Sequence, residues 1–136
     1  AARRRPSFPS HGEALANYAS KPPLDVLRAD VLHAYVQHGF RAGEDGAVHL
    51  ACRPEDEAQI FRGGGLHDAF THLGEVRCPV VVACGREEPG PAMFAPGVVD
   101  ALPNGRLERH GALGHFGPLE APGLCAAALR DLLDRL

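Results

Sequence analysis

Residues 79–85, Pro79-Val80-Val81-Val82-Ala83-Cys84-Gly85, form a continuous apolar run that ends in glycine. A run of this length without alternation predicts a strand buried on both faces, as in a parallel sheet covered by helices on each side. Downstream, residues 86–91 read as a loop and 92–102 as a helix that Pro96 interrupts. Pro103-Asn104-Gly105 is a turn, and 106–110 (Arg-Leu-Glu-Arg-His) a short strand. A Gly-rich loop follows over 111–120, carrying His115. Residues 122–136 close the chain as a helix with apolar positions 124, 125, 128, 129, 132, 133 and 136. Strand, loop and helix, repeated once, predict an α/β fold.

Upstream of the run the texture differs. Residues 1–75 read as short helices joined by polar turns. Ser10 and Glu13 have the spacing of a capping box, which predicts a helix from Ser10 to Ala19. Pro22-Pro23 separates it from a second helix over 25–36, whose apolar positions 27, 31, 32 and 35 share a face. Gly39 is its stop. Residues 47–52 predict a short strand, and Pro54-Glu55-Asp56-Glu57 opens a third helix with proline and acids in the first turn. Gly63-Gly64-Gly65 ends that helix.

Composition narrows the function classes. The chain has 136 residues, 45% of them apolar, which suits one domain with a core. No apolar run approaches the ~20 residues that a membrane-spanning helix needs. Arg3-Arg4-Arg5 has no apolar stretch behind it, so an ordinary secretory signal is not expected. These arginines read as a solvated face or as the remnant of a helix entering the first region. A net charge of −3 argues against generic nucleic-acid binding. Cys52, Cys78, Cys84 and Cys125 form no C-x-x-C pair and read as reduced cysteines, which predicts a cytoplasmic protein. The first residue is Ala and the single Met is Met93, so the sequence reads as a processed product or a piece of a longer reading frame.

In an open α/β sheet, functional groups sit on loops beyond the carboxyl ends of the strands. The loop after the valine-rich strand holds Glu87 and Glu88. The loop after the short strand holds His115, between Gly114 and Phe116. An acid and a histidine on neighbouring loops of this kind can lie within hydrogen-bond reach. A carboxylate on one ring nitrogen fixes the tautomer and leaves the other nitrogen free to act as a base.

Three stretches, 77–88 (Arg-Cys-Pro-Val-Val-Val-Ala-Cys-Gly-Arg-Glu-Glu), 102–108 (Leu-Pro-Asn-Gly-Arg-Leu-Glu) and 114–122 (Gly-His-Phe-Gly-Pro-Leu-Glu-Ala-Pro), occur in this order and spacing. Together they resemble the C-terminal half of an α/β-hydrolase. The resemblance implies a partial α/β-hydrolase fold: a helical cap segment with its connecting helix over 1–75, then the last two sheet strands and their helices over 76–136. It implies hydrolysis of an ester-like carbonyl substrate through a Ser–acid–His triad, and no cofactor. His115 matches the family's catalytic histidine. Glu88 matches its acid, where the family usually has Asp, and Glu87 is the fallback. Acyl transfer, haloalkane or epoxide opening, and C–C bond hydrolysis are related chemistries.

The departure lies at the nucleophile. The family places it in G-x-S-x-G, on a turn between strand and helix. Here the only serines are Ser7, Ser10 and Ser20, and none sits in that motif. The backbone donors of the oxyanion hole belong to the same absent part. The expectation is therefore a chain inactive by itself. The alternative is a short non-catalytic binding module or subunit that pairs an exposed sheet edge with a partner. The expected partners are a small-molecule substrate of moderately apolar character, suggested by Phe8, Tyr18, Tyr35, Phe40 and Phe61, and either a second copy of the chain or the missing N-terminal part. Neither nucleic acid nor membrane is expected.

Four further features read as structural. Cys84 follows a strand and precedes Gly85, but Val82 stands where a nucleophile elbow needs its first Gly, so Cys84 is a small buried residue. Gly63-Gly64-Gly65 precedes the valine-rich strand, the wrong place for an oxyanion loop, and reads as a flexible loop. His110 falls on the short strand. The pairs His33/His38, His67/His72 and His110/His115 are five apart, off a common helical face, and His49/Cys52 lacks a partner pair, so no metal is expected.

Overall fold

A computed structural model describes residues 3–135. They form two compact units that divide between Leu66 and His67, where the sequence reading places the division after residue 75. No described helix is long and apolar enough to cross a membrane.

The first unit opens with β1 (Ser7–Phe8), α1 (His11–Ala19) and α2 (Ala29–Gly39), followed by β2 (Phe40–Ala42), β3 (Val48–Leu50) and α3 (Pro54–Gly63). Ser10 caps α1, its Oγ accepting from the Glu13 N–H at 3.2 Å. β1, β3 and β2 form an antiparallel sheet with β3 in the middle. The sequence reading missed this sheet. Strands of two or three residues are too short to show period-two alternation, and only β3 signals it, with Val48 and Leu50 buried about His49. α2 starts at Ala29 and not at Asp25, because Leu24 to Leu27 turn instead, with the Leu27 N–H on the Leu24 carbonyl.

An aromatic cluster fills this unit. Phe8 meets Tyr18 at 5.8 Å and Phe40 at 5.7 Å between ring centroids, both edge to face. Leu27, Leu32, Val36, Val48 and Leu50 are buried with them. Arg4 is not on a solvated face. Its guanidinium hydrogen-bonds the Tyr18 and Tyr35 hydroxyls and pairs with Glu57 at 3.2 Å. Burial opposes its charge, but the bonds to Tyr18 and Tyr35 outweigh burial and raise its pKa above the usual arginine range. Gly63-Gly64-Gly65 includes the last residue of α3 and its cap, so it terminates a helix.

The second unit contains β4 (Val80–Cys84), α4 (Ala95–Ala101), β5 (Gly105–Arg109), α5 (Gly117–Glu120) and α6 (Pro122–Leu133). β4 and β5 are parallel, in register from Val80↔Gly105 to Cys84↔Arg109. Among the described residues β4 pairs with β5 alone. This corrects the expectation of a strand buried on both faces: β4 is half-buried and Ala83 is exposed, because one neighbouring strand and its helices cover only part of it. Pro96 does not interrupt a helix. It lies in the first turn of α4, where a missing N–H costs nothing, and a short 3-10 turn over Pro91–Met93 precedes it. The 3-10 segment Ala69–Glu75 packs on α4. On α6, Cys125, Ala128 and Leu132 are half-buried, while Leu124, Leu129 and Leu133 are exposed. Leu136 lies outside the described residues.

Candidate active site

The loops after β4 and β5 meet. The Cys84 carbonyl accepts from the His110 N–H at 2.8 Å, extending the ladder by one bond beyond β5. One step further, the Arg86 N–H donates to the Leu113 carbonyl, also at 2.8 Å. Between these bonds sits Gly85. A Cβ there would lie 2.6 Å from both the Leu113 and Gly114 carbonyl oxygens, so only glycine allows the two loops to approach this closely. Leu113, whose carbonyl accepts from the Arg86 N–H, is buried.

This contact brings His115 and Glu88 to one place. Both line a cavity of about 510 Å³ that runs from the carboxyl end of β4 along its face, between α4 and α6. Val82, Phe94, Val98 and Leu129 supply apolar wall. The His115 ring is exposed and packs on Phe116 at 4.6 Å between centroids. Glu88 is half-buried. Glu87 is exposed and does not line the cavity. Sharing a wall is not contact, however. Among the described residues no hydrogen bond joins the His115 ring to Glu88 or Glu87. The Arg86 Nε donates to Glu88 Oε2 at 3.0 Å instead.

The remaining candidates fall as follows. Cys84 and Cys125 are half-buried in the cavity wall. His110 also reaches the wall, and its Nε2 lies 3.3 Å from Glu108 Oε1. Glu108 pairs in turn with Arg106 at 3.2 Å. Of the five aromatics expected to set substrate character, Phe8, Tyr18 and Phe40 are core residues of the first unit, Tyr35 is half-buried, and Phe61 is exposed. Among the described residues no three His, Cys, Asp or Glu side chains cluster in a way that could hold a metal ion.

Sequence reasoning gave Glu120 no role. Its carboxylate accepts from the Gly114 N–H at 2.9 Å through Oε2 and from the Phe116 N–H at 3.1 Å through Oε1. These N–H groups belong to the residues on either side of His115. The available signals were its place in the 114–122 stretch that carries the resemblance, and an acid at the end of a short loop with N–H groups to satisfy.

No family model matches the sequence, and no curated protein matches it. Among solved structures, the crystal structure of E-2-(acetamidomethylene)succinate hydrolase matches 94% of this chain with a TM-score of 0.77 and 18% sequence identity, over 47% of its own length. The structure of MenH from S. aureus matches 89% of this chain with a TM-score of 0.62 and 16% identity, over 44% of its own length. The chain thus spans a little under half of each solved structure. Both are enzymes of the α/β-hydrolase fold, and at these identities the likeness is one of fold. The two parallel strands, their helices and the unit that precedes them are together a partial α/β-hydrolase fold.

Proposed function

We propose that the chain is the cap and C-terminal part of a serine hydrolase acting on an ester-like carbonyl substrate. His115 is its general base, and Glu88 is the carboxylate that orients His115. The observation that carries this reading is the shared cavity: His115 and Glu88 lie in one wall, on loops joined by backbone hydrogen bonds. In the reaction a serine hydroxyl attacks the carbonyl carbon while His115 takes its proton. His115 then returns the proton to the leaving alcohol, and water repeats the cycle on the acyl-enzyme. The serine and the oxyanion donors come from a segment outside the 136 residues. Glu88 must turn from Arg86 toward His115 when that segment is present. The apolar wall from Val82, Phe94, Val98 and Leu129 supports a substrate with a moderately apolar acyl or alcohol group.

Hydrolysis of p-nitrophenyl butyrate tests the reading. The 136-residue chain is expected to give no turnover above buffer. The product of a reading frame extended upstream through a G-x-S-x-G turn is expected to turn over, with His115→Ala lowering kcat by about 10⁴-fold. Turnover by the 136-residue chain that His115→Ala abolishes would place the nucleophile within it and overturn the proposed division.

A second reading, a non-catalytic subunit, is favoured by the single pairing of β4 and by exposed Leu124, Leu129 and Leu133 on α6. Open edges and apolar faces of this kind seek a partner. Sedimentation separates the readings. A stable complex of two copies favours the subunit, and a folded monomer that binds the separately made upstream segment favours the hydrolase.

A further inference from the structure

We infer that Glu120 is the positioning residue for His115, acting as a clamp on the N–H groups of the two residues that flank it. The inference rests on the reading of His115 as the base. Each carboxylate oxygen takes one N–H: Oε2 takes that of Gly114 and Oε1 that of Phe116. Phe116 is bound twice, because its carbonyl also accepts from the Glu120 N–H at 2.9 Å. With the N–H groups of the residues before and after it tied to one carboxylate, the backbone at His115 is held on both sides. The ring is presented from a fixed backbone although it is exposed.

Packing around the carboxylate supports the same role. Gly114 is buried, and a Cβ there would lie 2.7 Å from Glu120 Oε1 and 2.8 Å from Arg86 Nη2. The carboxylate and the guanidinium therefore rest directly on the Gly114 Cα. The same guanidinium holds Glu88 through its Nε at 3.0 Å. One side chain thus touches both Glu88 and Gly114, the residue whose N–H Glu120 holds. A glutamate suits this task because it offers two acceptors on an arm long enough to return to residue 114. Glutamine keeps the length but turns an N–H₂ toward one of the two donors, and aspartate is one methylene short.

The test uses the 136-residue chain and needs no catalysis, so its failure is distinguishable from failure of the proposed hydrolase reading. Amide exchange and His115 ring signals are compared by NMR in wild type, Glu120→Gln and Glu120→Ala. In wild type the Gly114 and Phe116 amides are expected to be protected. Loss of one charge-assisted bond in Glu120→Gln should speed exchange of one of them by about tenfold or more. Glu120→Ala should do so for both. In each variant the His115 Cε1–Hε1 signal is expected to shift or split, while protection of the β4–β5 ladder amides stays unchanged. The assignment is overturned if the His115 signal and both amides are the same in all three proteins. It is equally overturned if Glu120→Gln loses the ladder protection, since Glu120 would then support the whole unit and not the histidine loop.

Discussion

The backbone N–H of Arg86 donates to the carbonyl of Leu113 at 2.8 Å, so the loops after β4 and β5 run side by side from their first residues. This bond, and not a side-chain contact, brings the candidate acid and the candidate base to one cavity wall. It depends on Gly85, whose missing Cβ leaves room for the Leu113 and Gly114 carbonyls.

Gly85→Ala forces a methyl group to 2.6 Å from two backbone oxygens that have no side-chain freedom to yield. The expected result is destabilisation by about 1–3 kcal/mol from overpacking. Urea unfolding should show a lower midpoint with an unchanged slope. A midpoint equal to wild type would mean that the loops are further apart than described.

Aromatic residues of the first unit should divide sharply by burial. Phe8 is 2% exposed and Phe61 is 73% exposed. Phe8→Ala removes the ring that touches both Tyr18 and Phe40 and should cost about 3–5 kcal/mol. Phe61→Ala should stay within about 0.5 kcal/mol. Tyr18 and Tyr35 both lie in this unit and the chain has no Trp, so tyrosine fluorescence reports its unfolding. A comparable loss for Phe61→Ala would show that α3 is covered where it is described as open.

In the β2–β3 turn, Asp45 accepts from His49 Nε2 at 3.0 Å and from the Ala47 N–H at 3.1 Å. The His49 bond is the larger cause, and together they hold the Asp45 pKa below the ordinary value of 3.8. A carboxylate with a depressed folded pKa contributes stability that is complete above its unfolded pKa and lost as pH falls through the folded one. A carboxyl-detected NMR titration should therefore place the Asp45 midpoint below 3.8. His49→Ala should move it back toward that value. A midpoint at or above 3.8 in wild type would contradict the turn geometry.

How much of this could be read in the sequence varied with the range of the interactions involved. The run at 79–85 and the Ser10/Glu13 spacing act through near neighbours, and β4 and α1 formed where expected. Phe40 and Ser7 become strand residues only because β3 lies between them, a tertiary cause with no local period. The burial of β4 was overestimated for a related reason: an apolar run states what a strand can bury, not what is there to cover it. Arg4 looked like one of three solvated arginines, and only its two tyrosine partners distinguish it. At the candidate site, position on strand-end loops was enough to nominate His115 and Glu88. The Arg86 bond to Glu88 and the Glu120 clamp depend on side-chain directions that spacing does not encode.

As proposed, these residues are the base-and-acid part of a hydrolase whose nucleophile lies outside the chain. Sequencing the coding DNA directly upstream of the Ala1 codon tests this most directly. The expected result is an open frame encoding a strand followed by G-x-S-x-G. A stop codon followed by a fresh start site would contradict it, leaving His115 and Glu88 without a nucleophile to serve.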